Sequence, residues 1–180
     1  MDHVLYEGKY LKLGHDEGKT WEYVTRANAT GVVAVLAITE NREILVVEQF
    51  RPPLGKNVIE LPAGLAGDEP FKEEEPFVSA AKRELYEETG YEAKKWWSLF
   101  AGPTSSGMSD EAITFFLATE LTKVSDRDRF GVGNESIKLH HVPIGEVLDF
   151  ARRCADDGKD VDFKIYAALY VARQHPMFPA

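Results

Sequence analysis

The longest purely apolar run in the chain is Val32 to Ile38, directly after Gly31, and no other feature narrows the fold as much. It falls far short of the roughly 20 residues a bilayer-spanning helix needs, and it has the signature of a buried strand. A turn, Glu40-Asn41-Arg42-Glu43, leads to a second strand, Ile44 to Gln49, and the two read as the start of a mixed sheet. Upstream, Lys9 to Ala27 alternates around a polar link from Gly14 to Gly18, which predicts an antiparallel hairpin. Downstream, Pro52, Pro53 and Pro62 cannot sit inside central strands. Residues 51 to 75 are therefore expected to be mostly loop, with at most a short strand at Val58 to Leu61.

A helix is expected over about Pro76 to Thr89, with Pro76 at its first position and Gly90 as a left-handed cap. Strands follow at Trp97 to Ala101, Ile113 to Glu120 and Ile137 to Val142. The charged loop Ser125 to Asn134 between the last two is long enough to reach over a site. Ile144, Val147, Leu148, Ala151 and Cys154 recur at helical spacing. So do Ile165, Ala168, Leu169 and Ala172 in the run from Asp162 to Gln174. This order of elements points to an α/β/α sandwich.

Composition removes several classes of function. Twenty-one basic against 30 acidic side chains leave a formal charge of −9, and no basic run gathers the cations, so nucleic acid is an unfavourable partner. The start of the chain lacks the basic and apolar segments of a signal peptide, so neither membrane insertion nor export is expected, and the expected location is cytoplasmic. Cys154 is the only cysteine, which rules out an intrachain disulfide and a cysteine zinc cluster, and it falls on an apolar helical stripe as a core residue. His140 and His141 would point to opposite faces of a strand and are assigned no chemistry.

The chemistry concentrates in Arg83-Glu84-Leu85-Tyr86-Glu87-Glu88-Thr89-Gly90-Tyr91. On a helix, Glu84, Glu87 and Glu88 fall within one 100° sector, while Val78 and Leu85 form a separate anchoring stripe. Like charges so spaced destabilise a helix by a few tenths of a kcal/mol per pair, so their crowding makes sense around a hard cation, Mg²⁺ or Mn²⁺. On the carboxylates alone, an acidic solvated helix face explains them equally well.

This segment resembles the signature of the Nudix hydrolases, in which a glycine and a glutamate precede Arg-Glu-apolar-x-Glu-Glu-x-Gly-apolar. Arg83 to Tyr91 matches every fixed position, and Glu75 stands eight residues before Arg83 as the pattern requires. Gly64, however, lies eleven residues before Glu75 where the family has six, so five extra residues fall within Gly67 to Glu74. Gln49-Phe50-Arg51-Pro52-Pro53 and Glu60-Leu61-Pro62-Ala63-Gly64-Leu65 resemble the branch that hydrolyses ADP-ribose and nucleoside diphosphate sugars.

The resemblance implies a Nudix-type α/β/α sandwich over residues 29–180 and an N-terminal hairpin, residues 1–28, exchanged in a homodimer. It implies metal ligands at the Ala63 carbonyl, Glu84 and Glu88, with Glu87 close by and Arg83 in the catalytic motif. Arg51 would meet the diphosphate, and Trp21 and Arg26 would serve the dimer interface and the nucleobase. Glu135, in Gly133-Asn134-Glu135-Ser136-Ile137, is the first candidate for metal ligand or general base, and Glu111 the second. Without the family, Trp21 reads as hairpin core and both glutamates as exposed loop residues.

ADP-ribose pyrophosphatases usually carry a proline where Ser106 precedes Gly107, and Asp162-Phe163-Lys164 resembles the Asp-x-Lys of nucleoside diphosphate sugar hydrolases. In isolation that segment reads equally as an aspartate capping a helix, with Lys164 exposed. The expected activity is therefore Mg²⁺-dependent cleavage of a nucleoside diphosphate sugar. An ADP-ribose-specific pyrophosphatase and a non-catalytic nucleotide sensor are the alternatives.

Overall fold

The computed structural model describes residues 3–16, 18, 20–68, 75–125 and 136–178. In chain order the first strands are β1 (His3–Glu7), β2 (Leu11–Asp16), β3 (Trp21–Arg26), β4 (Gly31–Ala37), β5 (Glu43–Arg51), β6 (Lys56–Glu60) and β7 (Ala63–Ala66). Helix α1 (Phe77–Thr89) precedes β8 (Tyr91–Pro103), β9 (Ala112–Lys123) and β10 (Lys138–Pro143). Helix α2 (Val147–Asp156), β11 (Asp160–Val161) and α3 (Lys164–Ala172) complete the chain.

β4 is the strand announced by the apolar run, and its alternation explains why the run is unbroken. Val33, Val35 and Ala37 pack with Ala80, Ala81 and Leu85 of α1, whereas Val32, Ala34 and Leu36 pack with Cys154, Ile165 and Leu169 of the C-terminal helices. A strand covered on both faces has no polar side. β4 sits inside the sheet β7-β4-β9-β8, antiparallel to β7 and parallel to β9, and a bridge from Ile38 to Ile44 leads into the second sheet, β10-β5-β6-β11. With α1 on one face and α2 and α3 on the other, the expected α/β/α layering is present. Cys154 is core, and Gly90 closes α1 at φ 70° with its N–H on the Tyr86 carbonyl. Among the described residues no helix is long and apolar enough to cross a membrane.

Several expectations need correction. The hairpin expected over Lys9 to Ala27 is present as β2 and β3, but β1 pairs antiparallel with β2 and extends it to a three-stranded sheet; β1 is exposed along its whole length, so no hydrophobic alternation marks it. The segment after Pro62 is not loop: β7 pairs with β4 from Gly31↔Ala66 to Ala34↔Ala63. Ala-Gly-Leu-Ala has little intrinsic strand preference, and its conformation is imposed by that tertiary pairing. β8 begins at Tyr91 rather than Trp97 and carries a bulge between Ser98 and Phe100 that breaks its pattern. β11 pairs parallel with β6 over two residues only, too few to leave a periodic trace. Helix α3 starts at Lys164 rather than Asp162, and Leu148 is 60% exposed instead of lying on the buried stripe of α2.

Candidate active site

β7 and α1 form one wall of the site. Gly64 lies so close under α1 that a Cβ there would overlap the Glu84 carboxylate, which is why the strand carries glycine at this point. One residue earlier, the Ala63 N–H donates to Glu88 Oε2 at 3.0 Å. Glu84 and Glu88 are therefore pressed between helix and strand and are 8% and 7% exposed, which excludes a purely solvated acidic face.

Arg83 holds this wall together. Its Nη1 donates to Glu84 at 2.6 Å and Glu87 at 3.4 Å; its Nη2 donates to the Leu65 carbonyl at 2.8 Å and Glu75 at 3.3 Å, with Asp68 3.6 Å away. Glu75 thus reaches Arg83 despite the five-residue insertion before it. Burial works against the Arg83 charge, but Glu84, Glu75 and Glu87 outweigh it and keep the guanidinium protonated. For Glu84 the balance is reversed. Burial pushes its carboxyl up to about 7, and Glu87 and Asp68 add to the rise against the opposing pull of Arg83.

The wall faces a cavity of about 600 Å³ whose other lining includes Arg26 of β3, Gln49 and Arg51 of β5, Glu60 of β6, Glu111 beside β9, and Lys164 of α3. Each cation on that side is braced by a carboxylate. Arg51 Nε donates to Glu60 at 2.7 Å; Arg26 grips Glu111 Oε2 through Nε and Nη2, both at 2.7 Å; Lys164 pairs with Asp162, which also accepts the Lys164 backbone N–H at 2.8 Å. The N-cap position of α3 falls on Phe163 rather than Asp162, so Asp162 braces Lys164, which lines the cavity instead of standing exposed. Glu111 is not an ordinary exposed loop residue, its side chain being 19% exposed.

Glu84, Glu87 and Glu88 are all oxygen donors suited to a hard divalent cation, and the raised Glu84 carboxyl is the condition such a cation relieves. As they stand, Glu84 and Glu87 are bridged by Arg83, and among the described residues no three carboxylates or histidines already enclose a common point. A cation entering this face would compete with Arg83 Nη1, leaving the Nη2 contacts to Leu65 and Glu75 in place.

Of the residues expected from the sequence, Arg26, Arg51, Ala63, Arg83, Glu84, Glu87, Glu88, Glu111 and Lys164 line this one cavity. Trp21, Ser106 and Gly107 do not; they form an exposed rim where the Trp21 indole N–H donates to the Gly107 carbonyl at 3.0 Å. Trp21 is 54% exposed, which excludes a hairpin-core role. The rim is stitched to the cavity by β3, whose Val24 N–H donates to the Met108 carbonyl at 2.8 Å. Glu135 and residues 69–74 of the insertion lie outside the described residues. Gln49, Glu60 and Asp68 were not singled out from the sequence. The period-two spacing of Gln49 and Arg51 on one strand was the signal available for the first.

Residues 28–161 match the family model for the NUDIX domain. The chain is similar to an ADP-ribose pyrophosphatase of Bacillus subtilis (strain 168), 46% identical over 118 residues that make up 66% of this chain and 60% of that protein's length. It is also similar to a methanol dehydrogenase activator of Bacillus methanolicus, 37% identical over an alignment of 181 positions that covers 95% of this chain and 92% of that protein. A crystal structure of an ADP compounds hydrolase superposes with a TM-score of 0.68 over 96% of this chain and 89% of the other at 15% identity, which speaks to the fold alone. With the family model spanning most of the chain, and with Glu84 packed on Gly64 and Glu88 on the Ala63 N–H, the chain belongs to the Nudix hydrolase family.

Proposed function

We propose that the protein hydrolyses the diphosphate linkage of a nucleoside diphosphate sugar, giving a nucleoside monophosphate and a sugar phosphate, with Mg²⁺ (or Mn²⁺) as cofactor. The observation that carries this reading is the division of the cavity, with Glu84, Glu87 and Glu88 on one wall and Arg26, Arg51 and Lys164 around the others. The residues suited to hold the cation are Glu84, Glu88 and the Ala63 carbonyl, with Glu87 close by. When bound, a divalent cation supplies Lewis-acid stabilisation of phosphoryl oxygens and acidifies water at neutral pH.

The chain's own residues have separable tasks. The Arg51 guanidinium, its orientation fixed by Glu60, presents planar donors to the diphosphate and stabilises the leaving phosphate. Lys164 contacts the phosphate on the sugar side. Arg26 holds Glu111 at the cavity edge, and Trp21 on the rim offers an indole face to the base. Glu135 takes the proton of the attacking water, with Glu111 as second candidate. Residues 1–28 form a dimerisation segment, supported by the exposed Val4, Leu5 and Tyr6 of β1 and Tyr10 in the turn that follows, none of them covered by the rest of the fold.

The reading is tested by coupled-phosphatase release of phosphate from equal concentrations of ADP-ribose, ADP-glucose, GDP-mannose and UDP-glucose, with Mg²⁺ and with chelator. Mg²⁺-dependent release from several is expected. Release from ADP-ribose alone would replace the broad substrate class with an ADP-ribose-specific pyrophosphatase, the activity for which the Bacillus subtilis relative is named. Tight binding without release would overturn hydrolysis in favour of a sensor.

A further inference from the structure

On the face of β5 opposite the cavity, Glu48 is 7% exposed and accepts hydrogen bonds from three separate segments of the chain. Lys159 Nζ, just after α2, lies at 3.0 Å; Asn57 Nδ2, on β6, at 2.8 Å; and His140 Nε2, on β10, at 2.9 Å. Burial alone would raise the Glu48 carboxyl, but these bonds and the Lys159 charge overcome it and bring it down to about 2. Burial also holds His140 low, with Lys138 and Lys159 adding to the effect against Glu48. Glu48 is thus a charged anchor to which Lys159 is tied.

Lys159 leads directly into β11, whose two residues pair with Val58 and Ile59 of β6. A strand this short has little power to fix its own register. It is clamped at both ends, by Lys159 on Glu48 before it and by the Asp162 N–H on the Ile59 carbonyl at 2.9 Å after it. An exposed pair, Lys56 to Asp160 at 3.1 Å, adds little. Asp162 in turn holds both the backbone N–H and the ammonium of Lys164, a residue that lines the cavity.

We infer that Glu48 and Lys159, which never touch the cavity, are positioning residues that set the place of Lys164 in the substrate site by pinning β11 to the sheet. The geometric half of this inference stands on the hydrogen bonds alone; its effect on catalysis rests on the proposed function, in which Lys164 meets the sugar-side phosphate.

The experiment separates the two halves. Hydrogen exchange on wild type, Lys159→Gln and Lys159→Arg, each verified as folded, should show the Asp162 and Lys164 amides exchanging at least about tenfold faster in Lys159→Gln and near wild type in Lys159→Arg. Unchanged exchange in Lys159→Gln would overturn the inference whatever the enzyme turns over. In kinetics on the best nucleotide sugar, Lys159→Gln should raise KM about five- to tenfold with kcat within about twofold. Combined with Lys164→Ala, it should add less than about twofold to that variant's own effect. Full multiplicative effects in the double variant would show that Lys159 acts elsewhere. Should Lys159→Gln fail to fold, Glu48→Gln carries the same expectations. Altered exchange in a protein that turns over none of the four nucleotides would uphold the positioning and reject the proposed function instead.

Discussion

Glu48 and Glu84 are buried to the same degree, 7% and 8% exposed, yet their carboxyls shift in opposite directions, one down to about 2 and the other up to about 7. Burial pushes both upward, so the difference comes from the neighbours. Glu48 receives Lys159, Asn57 and His140, a donor set supplied entirely by the chain. Glu84 shares Arg83 with Glu75 and Glu87 and has Asp68 nearby, more negative charge than one guanidinium offsets. A buried carboxylate satisfied from within marks structure, whereas one left over-supplied with negative charge is where the proposed cation would offset the excess.

The strongest test of that contrast is Glu88→Gln. This neighbour of Glu84 keeps its size and its contact with the Ala63 N–H, so the helix should remain folded by circular dichroism. Metal-dependent kcat/KM should fall by at least about a hundredfold, or roughly 3 kcal/mol of transition-state stabilisation. Wild-type turnover with wild-type metal dependence would remove the carboxylate face from catalysis.

Substitution at the two compared glutamates should change stability with opposite signs. Glu48 lies below its ordinary 4.5, so its contribution is fully present above pH 4.5 and is lost as pH falls through about 2. Glu48→Gln should therefore destabilise the protein at pH 7 by on the order of 3 kcal/mol and flatten the acid limb of its denaturation profile. Glu84 lies above its ordinary value, so its ionisation weighs against the metal-free fold as pH rises through about 7. Glu84→Gln should leave metal-free protein at pH 8 as stable as wild type or more so, by on the order of 1–2 kcal/mol, and should lose that gain below pH 4.5. Urea titrations of both variants at three pH values would check it. Destabilisation of equal size by both would mean that the two carboxylates play the same structural part.

The legibility of these regions in the sequence differed for the same physical reason. The face of Glu84, Glu87 and Glu88 follows from helical geometry within five consecutive residues, and β4 declares itself because it is apolar on both sides. The Glu48 cluster joins residues up to 111 apart in sequence, and neither β7 nor β11 carries a periodic pattern because each is held by its partner strand. Gly64 was visible as a motif position, but its purpose, clearance for the Glu84 carboxylate, became evident only once β7 lay beneath α1.

The smallest expected effect sharpens the contrast from outside both clusters. Trp21 is an exposed indole, 54% accessible, whose hydrogen bond to the Gly107 carbonyl leaves most of its ring facing solvent. Such a residue contributes little to the fold, so Trp21→Ala should change unfolding stability by less than about 1 kcal/mol. Its ring is nevertheless set on the segment that carries Arg26 into the cavity, and stacking on a base is worth on the order of 1–3 kcal/mol. KM for the nucleotide should then rise roughly tenfold with kcat nearly unchanged, whereas kcat should be the parameter that moves in Glu88→Gln. A large loss of stability with unaltered KM would place Trp21 with Glu48, among residues whose surroundings the chain completes by itself.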